Sequence, residues 1–435
     1  MSNHLKTAQV LRSLRDYESR NVTFIEEDGS WPIVWERARW CQVWDVEGKQ
    51  YLDLTAAFGV AAAGHANPRV VAAARKQMSR LLHAMGDVHP HAGKARLARE
   101  LSRVTFERWT KSAVRGKTVF CNSGFEAVEC ALKTAVLATG RPGVVAFEGG
   151  YHGLGYGALT ATHRAHFRRP FKSQLRQFVR FVPFPETEDD LAVTEKSLTV
   201  ILKRHRIGAV LVEPVQARAG IRIPPMQFLK RLRKLCDASG ALLIVDEIYT
   251  GFGRTGKWFA CELSETIPDL ICLGKALTGG FPLSACVGKA DLMDRAWPPS
   301  SGEAIHTSTF LGHPVGCAMA LAQIKELHGL IGRSARRGIF LLKEIQKTCA
   351  APHGCRMEIR GLGLMAGIEV WQKDGRPATA LVLRVIKKLL RAGFIVLPEG
   401  RHSNVIAVTP PFIISERELR RAVKALVEIL ATEKP

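Results

Sequence analysis

The chain has no run of about 18 apolar residues, a lack that excludes a membrane-spanning helix. Its opening, Met1-Ser2-Asn3-His4-Leu5-Lys6, lacks the charged-then-apolar pattern of a secretory signal, so a cytoplasmic location is expected. Among the ten cysteines there is no Cys-x-x-Cys pair, which argues against a zinc site or a disulfide framework. Most lie inside apolar runs such as Leu270-Ile271-Cys272-Leu273 and read as buried, reduced thiols. Internal repeats and low-complexity segments are also missing. Acidic residues are few, 40 against 62 basic ones, for a net charge of +22. Such an excess admits nucleic acid, an anionic membrane surface or acidic metabolites as partners. The basic residues are dispersed, however, and in Phe228-Leu229-Lys230-Arg231-Leu232-Arg233-Lys234-Leu235 the apolar positions recur at helical spacing, leaving the charges on the water face. Residues 384–391 follow the same pattern. No basic stretch is interleaved with aromatics as base stacking requires, so a solvated basic surface is expected, with no specific nucleic acid and no membrane as partner.

What is present suits a soluble enzyme. At 435 residues and 46% apolar content, the chain has room for a large domain and a smaller one. Residues 1–55 form a lead-in in which Val43 to Asp53 reads as two short strands about a Glu-Gly turn. From 56 to 330, short apolar runs alternate with amphipathic helices. Strands are expected at Thr118–Cys121, Val144–Phe147, Ala209–Glu213, Ala241–Asp246, Leu270–Leu273 and Ser284–Val287, and helices at 125–139, 225–238 and 313–328. Near-continuous apolar strands separated by helices imply an α/β fold, a largely parallel sheet covered on both faces. Residues 331–435 read as a smaller α+β lobe: helix, two strands around Gly361-Leu362-Gly363, helix, two strands, and a last helix at 415–431.

In an open parallel sheet, ligands gather at the carboxyl ends of the strands. Asp246 and Glu213 each close an apolar run, and either acid alone could simply cap a helix or meet solvent. Lys275 follows Leu270-Ile271-Cys272-Leu273-Gly274 and precedes Ala276-Leu277-Thr278-Gly279-Gly280, where glycines let another molecule approach the backbone. Asn122-Ser123-Gly124-Phe125 lies between a strand and a helix, so its amides should face outward at a positive helix end, suiting a phosphate; a plain helix cap is the alternative.

Together these residues resemble the class-III aminotransferases, pyridoxal-phosphate enzymes that include ornithine, acetylornithine and ω-amino-acid aminotransferases. The matching segments are Asn122 to Ala127, Tyr151-His152-Gly153, Glu213-Pro214-Val215-Gln216, Asp246-Glu247-Ile248-Tyr249-Thr250-Gly251-Phe252-Gly253-Arg254-Thr255-Gly256, Gly274 to Gly280 and His306-Thr307-Ser308-Thr309-Phe310. The most specific is the long Asp246 motif, followed by Lys275 after 29 residues (275 − 246). The resemblance implies a fold-type I enzyme and a role for each match. Lys275 is implied as the Schiff-base lysine that also shuttles the substrate proton, because desolvation favours its neutral, nucleophilic form. Asp246 is implied to hold the pyridine nitrogen protonated, the ring then accepting electrons. Tyr151 is implied on one ring face and Ile248 on the other, with Ser123, Gly124 and Phe125 on the phosphate, largely through amides. Thr309 is implied to reach the phosphate of a neighbouring subunit, which makes the enzyme a homodimer. Glu213 is implied near a substrate carboxylate or the cofactor hydroxyl, and His152 is either structural or a supporting neighbour of the site.

The sequence also departs from the family. Phe125 replaces a threonine, losing a hydroxyl but keeping the amide. Tyr249 stands where glutamine is common, near the cofactor's 3-hydroxyl, and His313 where asparagine is frequent. Ornithine-type enzymes carry a carboxylate-gripping arginine where Ala407 stands in Asn404-Val405-Ile406-Ala407-Val408. This chain should therefore hold substrate differently, with Arg401, or else Arg168 or Arg169, as the candidate arginine. The expected reaction moves an amino group from an ω-amine or amino acid to a 2-oxo acid, pyruvate or 2-oxoglutarate, in two half-reactions. An aminomutase, racemase or decarboxylase would use the same lysine. A nucleic-acid-binding protein that has lost chemistry is disfavoured by the retained Lys275 and Asp246.

Overall fold

The computed structural model describes residues 6–434; the signal-peptide reading of Met1 to Leu5 lies outside them. Three strands open the fold: β1 (Trp35–Arg39), β2 (Gln42–Asp45) and β3 (Gln50–Asp53). The β2–β3 turn is held by Asp45, whose Oδ1 accepts the backbone N–H of Glu47 at 3.1 Å and of Lys49 at 2.8 Å, while Gly48 takes the left-handed conformation at φ +83°. That places the Glu-Gly turn where the sequence implied it.

The central sheet contains β4 (Gly116–Cys121), β5 (Gly143–Phe147), β6 (Val179–Val182), β7 (Ile207–Val212), β8 (Leu242–Asp246), β9 (Leu270–Leu273) and β10 (Ser284–Lys289). Their spatial order is β4-β10-β9-β8-β7-β5-β6, and β10 alone runs antiparallel to its neighbours. Every residue of β7 and β9 is buried, as expected for strands covered on both faces. β6 was not anticipated. It is an edge strand whose apolar residues alternate with an exposed Arg180, so it gives no continuous apolar signal. Glu213 lies one residue beyond β7, not inside it.

The helices form where the periodicity placed them, within a few residues. Phe228–Ser239 buries Phe228, Leu229, Leu232 and Cys236 and ends at Gly240, a left-handed cap at φ +68°. Its outward charges find acidic partners: Arg231 with Glu195 at 3.2 Å and Arg233 with Asp269 at 2.7 Å. All ten cysteines are free, and all but Cys349 are buried. Among the described residues no helix is long and apolar enough to cross a membrane.

Beyond the helix Ile331–Thr348 come β11 (Cys355–Gly361), β12 (Ala366–Gln372), β13 (Phe394–Ile395), β14 (Leu397–Glu399) and β15 (Val405–Val408). Four of these form an antiparallel sheet, β11-β12-β15-β14. β13 instead pairs in parallel with β3, which ties the lead-in to the C-terminal region. The final helix, Glu416–Ala431, is capped by Ser415, whose hydroxyl accepts the Glu418 N–H at 3.2 Å.

Candidate active site

Strands β4, β5, β7, β8 and β9 point their carboxyl ends the same way, and the residues past those ends enclose one cavity of about 400 Å³. It is lined by Gly124 and Phe125 after β4, Tyr151 and His152 after β5, Glu213 and Arg218 after β7, Asp246, Ile248 and Tyr249 at β8, and Lys275 after β9.

Asp246 ends β8 with both oxygens committed on the protein side. Oδ1 accepts the Ile248 backbone N–H at 3.1 Å, and Oδ2 lies 2.7 Å from His152 Nδ1. Burial opposes charge on the His152 ring, but the hydrogen bond and charge of Asp246 outweigh it, and the imidazole pKa is raised. The ring therefore donates from Nδ1 and fixes the carboxylate's orientation. His152, a residue of undecided role in the sequence, is in direct contact with the key acid.

Lys275 follows Gly274 with φ +40°, a left-handed conformation unusual for a residue bearing a Cβ. Its Nζ lies 4.5 Å from the centre of the Tyr249 ring. Burial pushes its pKa below 10.5, against the pull of Asp246 and Glu213. The Tyr249 hydroxyl is turned away, 3.2 Å from Thr409 Oγ1, so the ring and not the phenol oxygen faces the amine.

The helix Gly124–Thr139 starts at the cavity. The Glu126 carboxylate accepts the N–H groups of Asn122 at 2.6 Å and Ser123 at 3.2 Å, while Ser123 Oγ is buried without a hydrogen-bond partner. An orphaned hydroxyl beside the free first-turn amides of a helix is a cradle for an anion. The bulk of Phe125 is accommodated by glycine. A Cβ on Gly155 would fall 2.5 Å from Phe125 Cδ2 and 2.7 Å from Cε2, so the phenyl ring has its place only because residue 155 has no side chain.

Glu213 accepts the Tyr151 backbone N–H at 2.8 Å. Burial raises its pKa to about 7; the charge of His152 opposes this and that of Asp246 adds to it. Because this value lies above the ordinary 4.5, the folded protein keeps a proton that the unfolded chain releases between the two. The group's stabilising contribution is complete below about pH 4.5 and is lost as the pH rises towards 7. Glu213→Gln keeps the acceptor for Tyr151 and removes the titration. The variant should therefore gain stability relative to wild type as the pH rises through that window, by at most about 3 kcal/mol. Thermal melting measured across the window checks this, and parallel curves would contradict it.

Four anticipated residues lie elsewhere. Thr309 is exposed, and Arg401 lines a neighbouring cleft of about 650 Å³ together with Arg168, Arg164 and Arg222. Arg169 is exposed. Arg218 and Glu399, by contrast, were not anticipated. Arg218 lines the cavity and pairs with Glu399 at 3.2 Å.

A family model described as "Aminotransferase class-III" matches residues 24–430. The chain belongs to the class-III aminotransferases. It is 36% identical over 403 residues to an acetylornithine aminotransferase of Methanopyrus kandleri, covering 92% of this chain and 94% of the relative. It is 36% identical over 410 residues to a 5-aminovalerate aminotransferase of Pseudomonas aeruginosa, covering 91% and 93%. Among solved structures, an amine transaminase from an uncultivated Pseudomonas species, described in its PLP-bound form, superposes with a TM-score of 0.85 at 28% identity, covering 95% of this chain and 98% of the other. As a class-III aminotransferase the enzyme is an α/β protein of fold type I that depends on pyridoxal phosphate. The cavity fits that group. The Ser123 hydroxyl and the helix start suit its phosphate, Tyr151 and Ile248 line the space for its ring, and a buried carboxylate and a largely buried amine stand ready for its nitrogen and its carbonyl.

Proposed function

We propose that this aminotransferase moves an amino group from an ω-amine or amino acid to a 2-oxo acid in two successive half-reactions, with Lys275 and Asp246 as its catalytic residues. When bound, pyridoxal phosphate supplies a carbonyl for covalent capture of the amine and a ring that accepts electrons. The chain's residues do the rest. The Lys275 amine, its pKa lowered by burial, is neutral often enough to attach the cofactor and then to take a proton from the substrate Cα at Nζ. The Asp246 carboxylate, oriented by His152 and the Ile248 amide, would keep a proton on the ring nitrogen. Tyr151 and Ile248 would bracket the ring, Tyr249 and Glu213 would border it, and Ser123, Gly124 and Phe125 would hold the phosphate.

The observation that carries this reading is the convergence of Lys275, Asp246 and the start of the Gly124–Thr139 helix on one cavity. Two relatives named for terminal-amine substrates, acetylornithine and 5-aminovalerate, support the donor class. A homodimer in which Thr309 reaches the neighbouring cofactor is supported by the apolar surface around it. Ile305 and Phe310 are 71% and 55% exposed, and Phe310 meets His83, whose neighbours Leu82 and Met85 are 57% and 55% exposed. A cytoplasmic location is supported by the ten free thiols.

Incubating the holoenzyme with single amine donors, then with a panel of 2-oxo acids, tests the reading. The visible band of the bound cofactor should disappear with a donor and return with an acceptor. Borohydride reduction of the resting enzyme should leave a pyridoxyl group on the peptide containing Lys275. Racemised or decarboxylated product with no loss of the band would instead place the enzyme among mutases, racemases or decarboxylases.

A further inference from the structure

Arg218 sits on the loop after β7, in a turn closed by mutual backbone hydrogen bonds between Gln216 and Arg222, at 3.0 and 3.1 Å, and by a left-handed Gly220 at φ +105°. Its carbonyl accepts the Gly400 N–H at 3.2 Å, which pins the residue beside the end of β14. From there the guanidinium reaches the cavity that contains Lys275. Its carbon lies 5.4 Å from the centre of the Tyr151 ring, and Nη1 donates to Glu399 Oε1 at 3.2 Å. Arg218 Nε is buried with no partner, so most of its donors are free. Arg164 stands behind it, its Nη2 donating to the Gly400 carbonyl at 3.0 Å. Glu399, only 6% exposed, thus faces two guanidiniums.

Two cations around one carboxylate leave space, in charge, for a second carboxylate. No guanidinium comes from β15: Ala407, at the position of the arginine in ornithine-type enzymes, is buried in an apolar cluster with Val215, Ala217, Ile221 and Met365, against which Tyr249 packs. Arg401 opens onto the neighbouring cleft. Among the described residues lining the cavity, Arg218 is the guanidinium.

We propose that Arg218 is the specificity-determining residue that receives the carboxylate of the 2-oxo acid, with Glu399 as its resting partner, in place of the arginine lost at Ala407. This rests on the aminotransferase reading above. An arginine–carboxylate pair at a cavity wall exchanges readily for another of the same chemistry, since the desolvation of Arg218 is already met in the resting state. Glu399 covers the cation while a donor without a carboxylate is bound, and the acceptor's carboxylate displaces it. The planar fork, and not charge alone, makes the contact selective.

The test compares pyruvate with acetaldehyde, which lacks the carboxylate, as acceptors for the holoenzyme. In Arg218→Gln the ratio of kcat/KM for pyruvate to that for acetaldehyde should fall about 100-fold, mainly through KM for pyruvate. Arg218→Lys should recover part of the ratio. Glu399→Gln should lower KM for pyruvate by removing the competitor. Independently of turnover, calorimetric binding of propionate, an unreactive carboxylate, should weaken in Arg218→Gln and strengthen in Glu399→Gln. Equal losses with both acceptors, or unchanged propionate binding, would overturn the proposal. If wild-type enzyme transaminated no donor, the functional reading would fail, yet propionate binding would still decide the carboxylate site. If Arg218→Gln fails to fold, the Lys and Glu399 variants carry the same comparison.

Discussion

Lys275→Ala should reduce multiple-turnover transamination by at least about 10⁴-fold, equivalent to about 5.5 kcal/mol of barrier, while the protein folds as before. The size follows from the lysine serving twice, as the point of covalent attachment and as the group that moves the substrate proton. Neither water nor a neighbouring side chain replaces both. The next candidate base, Glu213, has its pKa raised to about 7 by burial, so only part of it is free to take a proton near neutral pH, and it already accepts the Tyr151 N–H. The fold should survive because two stability effects oppose each other. Removing the amine ends its desolvation cost, and it also ends its attraction to Asp246 and Glu213. Alanine bears the same Cβ as lysine, so the left-handed backbone at residue 275 is no worse strained. Rapid mixing of the variant with donor, followed by product analysis over many equivalents, is the measurement. Sustained turnover within a hundredfold of wild type would remove Lys275 from its role.

The part of this site legible in the sequence is the part carried by parallel strands. β8 and β9 are short apolar runs whose first polar residues, Asp246 and Lys275, mark the carboxyl ends, and the intervening motif fixes their separation. The helix after Ser123 was legible for a similar local reason, a glycine-bearing turn between two strong periodic patterns. Arg218 was not. It follows Glu213 by five residues (218 − 213), just past a strand end, so the rule that found Asp246 also pointed to it. With 62 basic residues in the chain, one more arginine reads as surface. What distinguishes it is Glu399, 181 residues later, on a strand of another sheet, and no local pattern reports that pairing. Arg401, two residues past Glu399, looked suitable by proximity to Ala407. A backbone turn at Gly400, φ +87°, separates the two, so that Glu399 pairs with the cavity arginine and Arg401 lines the neighbouring cleft. Tyr249 is a related case: its place was readable, but the direction of its hydroxyl depends on Thr409, beyond β15.

Asp246→Asn should lower kcat by about 100-fold or more, a barrier increase of about 2.7 kcal/mol, without emptying the site of cofactor. The phosphate contacts proposed for Ser123, Gly124 and Phe125 do not involve residue 246, so affinity should weaken but persist. The geometry also specifies what asparagine does to its neighbour. Its Oδ1 can still accept the Ile248 N–H, which leaves the amide NH₂ facing His152 Nδ1, a nitrogen that donates in the wild-type enzyme. For the new contact to be a hydrogen bond the imidazole must shift its proton to the other nitrogen, and the raised pKa it owed to the carboxylate should fall. Nitrogen-15 NMR of His152 should therefore report the changed tautomer, while kinetics report the lost charge at the ring nitrogen. Stability should not fall in step with activity, because losing one buried carboxylate relieves its repulsion of Glu213. An Asp246→Asn enzyme that melted far below wild type and lost rate in proportion would assign the residue to the scaffold. One that melts normally, binds the cofactor, and turns over about a hundredfold more slowly would assign it to the chemistry.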